Sequence, residues 1–91
     1  MIEDETHGGG TLPLAMAREG DWVRITRVSG GSRMVKRLTD LGLNVGAEVM
    51  VSQRQGGGLI VVRGDLRLAI GAGAAQKILV APTTGQQGEV A

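Results

Sequence analysis

The chain predicts a mainly β domain: a small SH3-like, partly open barrel of about five antiparallel strands, with a short helix inserted between strands 1 and 2. Three observations carry this. Apolar and polar residues alternate with a period of two across Trp22–Val28 and again from Ala47 onward. Between those stretches Met34, Leu38 and Leu41 fall at i, i+4 and i+7, the spacing of one helical stripe. Glycine-bearing turns then separate the later apolar runs by only a few residues, as in a meander.

Taken in order, residues 1–11 are polar and glycine-rich, with too little apolar surface to offset the entropy of ordering them, so a mobile tail is expected. Leu12, Leu14 and Met16, with Pro13 fixing the backbone, form an apolar lead-in of about one helical turn that should pack across one end of the core. The first strand is Trp22–Val28, with Val23 and Ile25 inward, Arg24 and Thr26 outward, and a bulge where Arg27 precedes Val28. Trp22, lacking any other large ring to share the space, is expected in the core or half-buried.

Ser29-Gly30-Gly31-Ser32 links that strand to the helix, with Ser32 expected as its cap. Arg33, Lys36, Arg37 and Asp40 occupy the polar face, and Arg37 is placed to pair with Asp40. The helix stops at Leu41, because Gly42 can take the positive φ that satisfies the last carbonyls. Leu43 and Val45 are expected to re-enter the core before Gly46 permits another turn. From there Ala47, Val49 and Val51 face inward and Met50 outward.

The glycines at 56, 57 and 58 make a loop, and residues 59–63 form an apolar strand covered on both faces. Gly64 and Asp65 suit a two-residue hairpin, which directs Leu66, Leu68 and Ile70 inward and Arg67 and Ala69 outward. A short helical turn over 71–76 leads to a last strand over 77–80, which pairs with the first. The domain thus spans 12–81, and residues 82–91 are expected to be disordered.

Composition excludes several chemistries. With no Cys, there is no disulfide, thiolate nucleophile or cysteine-bound metal cluster. Between Arg18 and Val80, ten Lys or Arg stand against five acids, a net +5 that favours an acidic protein surface or anionic headgroups. One Trp and no Tyr or Phe leave no aromatic platform for base stacking, so nucleic acid is not the expected partner. No apolar run approaches the roughly 20 residues of a bilayer span, and the N-terminus is acidic where a signal peptide is basic; a cytoplasmic chain with no direct membrane insertion is expected.

The only His, His7, lies in the tail, so no rigid nucleophile–base pair exists, and no catalytic residue is assigned. Asp21, Asp40 and Asp65 sit beside turns or a helix end, where Asp serves the backbone. The Ser29 to Ser32 link lies where a phosphate cradle would, but lacks the Lys-Ser or Lys-Thr of a P-loop. Glu3, Glu5 and His7 are the candidate ligands for a weak divalent ion, Fe2+ or Zn2+, and no cofactor is required.

Leu41-Gly42-Leu43-x-x-Gly46 after a basic amphipathic turn, flanked by β-rich segments and followed by Val61 to Gly64 and Leu66 to Ile70, resembles the FeoA family of ferrous iron transport proteins. The resemblance covers about residues 12 to 81. It implies an SH3-like fold and a non-catalytic adaptor that binds the cytosolic side of a FeoB-type membrane transporter with a GTPase domain. The nominated surface combines Arg33, Lys36 and Arg37, the glycine loop at Gly57, and Leu14 and Met16 of the lead-in. Alternatives are a free-standing relative of the SH3-like domain of DtxR-type repressors, or a small-barrel nucleic-acid binder. The uncharged Gly71-Ala72-Gly73-Ala74-Ala75 departs from the family pattern, in which that segment carries charge.

Overall fold

The computed structural model describes residues 10–83. The expected tails, including Glu3, Glu5 and His7, lie almost wholly outside the described residues. Within them, β1 (Leu12–Pro13), β2 (Trp22–Val28), β3 (Glu48–Gln55), β4 (Gly58–Arg63), β5 (Leu66–Ile70) and β6 (Ile78–Pro82) form one antiparallel sheet in the order β1-β6-β2-β3-β4-β5. The sheet does not close, and β1 and β5 are its two edges. A 3-10 turn at Leu14–Met16 and two helices, α1 (Ser32–Asp40) and α2 (Ala72–Lys77), complete the fold.

Five of the strands are the expected ones. The sixth, β1, pairs Leu12 with Val80 and Pro13 with Leu79, and two residues are too few to display a period. At the far end β6 runs past the expected limit: Pro82 pairs with Val23, and Thr83 donates its N–H to the Trp22 carbonyl at 3.0 Å.

The alternation places the core. Val23 and Ile25 of β2, Val49 and Val51 of β3, Leu59 and Val61 of β4, and Ile78 and Val80 of β6 are all buried on one face. Each such side chain stabilises the fold by roughly 1.5–3 kcal/mol relative to exposure. Leu14 and Leu43 join the same buried cluster from outside the sheet. Two register shifts bend the sheet: one between Ile25 and Arg27, just before the Arg27–Val28 step where a bulge was expected, and another between Val51 and Gln53. Trp22 is half-buried opposite Met50.

Four local expectations are corrected. Ser32 is the first helical residue and not the cap, since Val35 already donates to the Gly31 carbonyl at 3.1 Å. Val45 is 60% exposed. The Gly46 N–H bonds to Ile25 O at 2.8 Å and Ala47 N–H to Asn44 O at 3.0 Å, a turn in which Leu43 and Ala47 are buried and Val45 is left outside. Gly58 belongs to β4, so the β3–β4 connection is a two-residue turn with Gly56 and Gly57 at φ +51° and +91°, the double positive φ of a type I′ hairpin. Along β5, Ile70 is buried and Leu68 half-buried, but Leu66 is 49% exposed because the hairpin tip projects beyond the core.

Candidate functional site

The site begins with how α1 ends. Leu43 N–H donates to Leu38 O at 2.8 Å and Gly42 N–H to Thr39 O at 2.9 Å, the paired bonds of a Schellman motif, with Gly42 at φ +84°. Leu38 and Leu43 are both buried, so the helix terminus is fastened to the core through this corner. The remainder of the apolar stripe is not so covered. Met34 is half-buried, while Val35 and Leu41 are exposed.

That incomplete packing leaves an open groove of about 530 Å³ between α1 on one side and β5 with the start of α2 on the other. Leu38, Leu43 and Ile70 contribute its buried apolar surface; Met34, Leu41, Leu68 and Ala74 line it further out. Arg33 and Arg37 are the charged residues of the lining, and no carboxylate is among them. Among the described residues neither has a carboxylate partner. Asp40 pairs instead with Lys36, at 3.5 Å across one turn, both side chains well exposed. This corrects the expected Arg37–Asp40 pair: Lys36 is four residues from Asp40, and Arg37 lines the groove.

Arg33 also occupies the first turn of α1, which holds no acidic residue. A cation there opposes the helix dipole, at a cost of about 0.3–1 kcal/mol. Its position is thus better suited to an external anion than to the helix itself.

Of the nominated surface, the structure gathers Arg33 and Arg37 at the groove and leaves Lys36 outside the lining. Gly57 lies beside it: a Cβ there would stand 3.2 Å from Ala72 Cβ, next to Gly71 of the lining. Leu14 is withdrawn as a contact residue, since it is 1% exposed and fills the core. Met16, at the other end of the same 3-10 turn, is 66% exposed. Gly46 and Gly64 take φ +98° and +60° and serve the turns. The sequence reading missed Leu68, Ile70 and Ala74 as groove residues; the inward marks on 66–70 and the absence of bulky side chains over 71–75 were the available signals.

The other candidate chemistries resolve into structure. Ser29 bonds to Lys77 O through both its N–H, at 2.7 Å, and its hydroxyl, at 3.2 Å, which pins the glycine link to the end of α2. Asp21 Oδ2 accepts the Arg18 N–H at 3.0 Å, a turn contact. Among the described residues no group of three or more His, Cys, Asp or Glu is placed to hold a metal. No helix among them is long and apolar enough to cross a membrane.

Comparison with known proteins agrees with this architecture. The FeoA domain model matches residues 12–82. A Methanocaldococcus jannaschii protein bearing the name Fe(2+) transport protein A is 37% identical over 68 residues, spanning 75% of this chain and 83% of its own. Among solved structures, one described as iron uptake regulatory protein (FeoA) superposes with TM-score 0.75 at 29% identity, over 81% of this chain and 100% of that one. The FeoA protein of Chlorobium tepidum gives 0.74 at 28% identity, over 86% and 76%. A manganese-dependent transcriptional repressor shares the fold over 80% of this chain and 42% of its own, with TM-score 0.73 at 24% identity. With its SH3-like sheet and the Leu-Gly-Leu corner that ends α1, the chain belongs to the FeoA family.

Proposed function

We propose that this chain is a non-catalytic accessory protein of ferrous iron uptake that binds and modulates the cytosolic part of a FeoB-type transporter carrying a GTPase domain. Family membership and a relative named for Fe(2+) transport support the iron connection. The observation that carries the adaptor reading is the groove: an apolar cleft with Arg33 and Arg37 beside it, neither neutralised from within the described chain. Such a surface suits a protein partner with apolar and acidic groups. Iron is then the transporter's cargo, and the chain needs no resident cofactor.

Modulation requires that the groove bind one conformation of the transporter better than another. The test is a titration of the full chain against the transporter's cytosolic domain, with Arg33→Glu and Arg37→Glu beside wild type. Binding weakened by about tenfold or more is expected when two charge contacts are reversed. Equal binding by wild type and the double variant removes the groove from the account.

A further inference from the structure

From the sheet edge that borders this groove we infer that β5 is an acceptor strand: it takes an added strand from an extended partner segment in which apolar residues alternate with carboxylates. This deepens the adaptor reading and rests on it for the partner's identity, but the recognition chemistry is argued from β5 itself.

The two edges of the sheet differ. β1 has two residues and one is Pro13, so it offers almost nothing to a new strand. β5 has five residues and no proline. Its hairpin partner is joined through the two-residue Gly64-Asp65 turn, with Arg63 opposite Leu66, Val61 opposite Leu68 and Leu59 opposite Ile70. In a two-residue hairpin the pair that flanks the turn is hydrogen-bonded and bonded pairs then alternate. Leu66, Leu68 and Ile70 therefore spend their backbone groups on β4. Arg67 and Ala69 aim theirs at the free edge, and among the described residues neither makes a backbone bond there.

The surroundings choose the occupant. A strand laid about 4.8 Å beyond β5 enters the space between β5 and α1, and its alternate side chains meet the apolar lining at Leu68. Arg67 projects from β5 on the face opposite Leu68, where every second side chain of an added strand would meet it, and Arg33 and Arg37 line the groove; among the described residues none of the three has a carboxylate partner. A second copy of this chain would bring the same cations to the same seam, and like charges across strands are destabilising. A partner strand carrying Glu or Asp on alternate positions relieves that repulsion and completes the ladder.

The test uses the full chain and two capped synthetic peptides, Thr-Val-Glu-Val-Glu-Val-Thr and its counterpart with Lys in place of Glu, and reads amide hydrogen exchange residue by residue. The acidic peptide is expected to slow exchange at Arg67 and Ala69 by about tenfold or more, leaving Leu68 and Ile70, already bonded to β4, little changed. The Lys peptide should not. Ala69→Pro removes an outward N–H without touching the β4 ladder and should abolish the effect; Arg67→Glu should shift preference to the Lys peptide, and decides the matter if the proline variant does not fold. No binding of the acidic peptide, binding without protection at Arg67 and Ala69, or wild-type binding by folded Ala69→Pro each overturns strand addition. A transporter domain that binds without protecting these two amides sinks this inference alone. Peptide protection with no transporter binding sinks the adaptor reading alone.

Discussion

The backbone N–H of Leu43 bonds to the carbonyl of Leu38 at 2.8 Å, and that contact turns the end of α1 into one end of the groove. Both leucines are buried, with Gly42 between them and the last turn in the left-handed region. Local capping chemistry and tertiary packing meet at the same residues, so a change at this corner should be felt in both stability and groove shape.

Gly42→Ala tests it. At φ +84° an ordinary residue is disfavoured by about 1–2 kcal/mol, and the new Cβ would stand 3.2 Å from Arg63 Nη1, the movable end of a long side chain. Stability should therefore fall by about that amount, seen as a lower urea midpoint with unchanged slope. A variant as stable as wild type would contradict the assigned backbone geometry.

The two hairpin glycines should respond differently. A Cβ on Gly58 would lie 2.5 Å from Ile70 O, backbone against side chain, with no flexible atom to yield. Gly58→Ala is expected to cost about 1–3 kcal/mol or more. Gly56 has open space around it and φ +51°, a conformation Asn tolerates, so Gly56→Asn should change the thermal midpoint by only a few degrees.

Along α1, burial separates core from surface. Leu38→Ala should lower stability by about 2–5 kcal/mol, because Leu38 is 6% exposed and its removal opens a cavity. Leu41, at 41% exposed, should cost well under about 1.5 kcal/mol when cut to Ala, yet weaken partner binding as a groove residue. Denaturant titration and binding isotherms on the same two variants separate these effects.

Two charged residues make a matching contrast. Arg54 holds the lead-in: its Nη1 donates to Ala15 O at 2.7 Å and to Ala17 O at 2.5 Å, and its N–H donates to Glu19 Oε2 at 3.0 Å. Arg54→Ala should cost about 1–2 kcal/mol in chemical denaturation. Lys36→Ala, which breaks only a solvent-exposed pair with Asp40, should stay within about 0.5 kcal/mol.

What the chain announces locally it also forms. Val23, Ile25, Val49, Val51 and Val61 fall on the core face because side-chain direction alternates strictly along a strand. Gly42, Gly46 and Gly64 take positive φ where a turn was expected. The misreadings share a cause. Val45 and Leu66 are apolar and in phase, but they project from a turn and a hairpin tip, and period alone does not say where the core stops. The lead-in is expected both to pack across the core and to offer a contact surface, and the two roles fall on different residues: Leu14 is buried in the core and Met16 is exposed.

Strand faces, the helix stop and the Gly64-Asp65 hairpin were thus settled by the sequence, since each depends on residues within a few positions of one another. Tertiary structure alone decided that β5 is left at the edge and that Arg33 and Arg37 share a groove with Leu68 and Ile70. Those outcomes depend on which distant segments the sheet order brings side by side, and no local period or turn signal encodes that order.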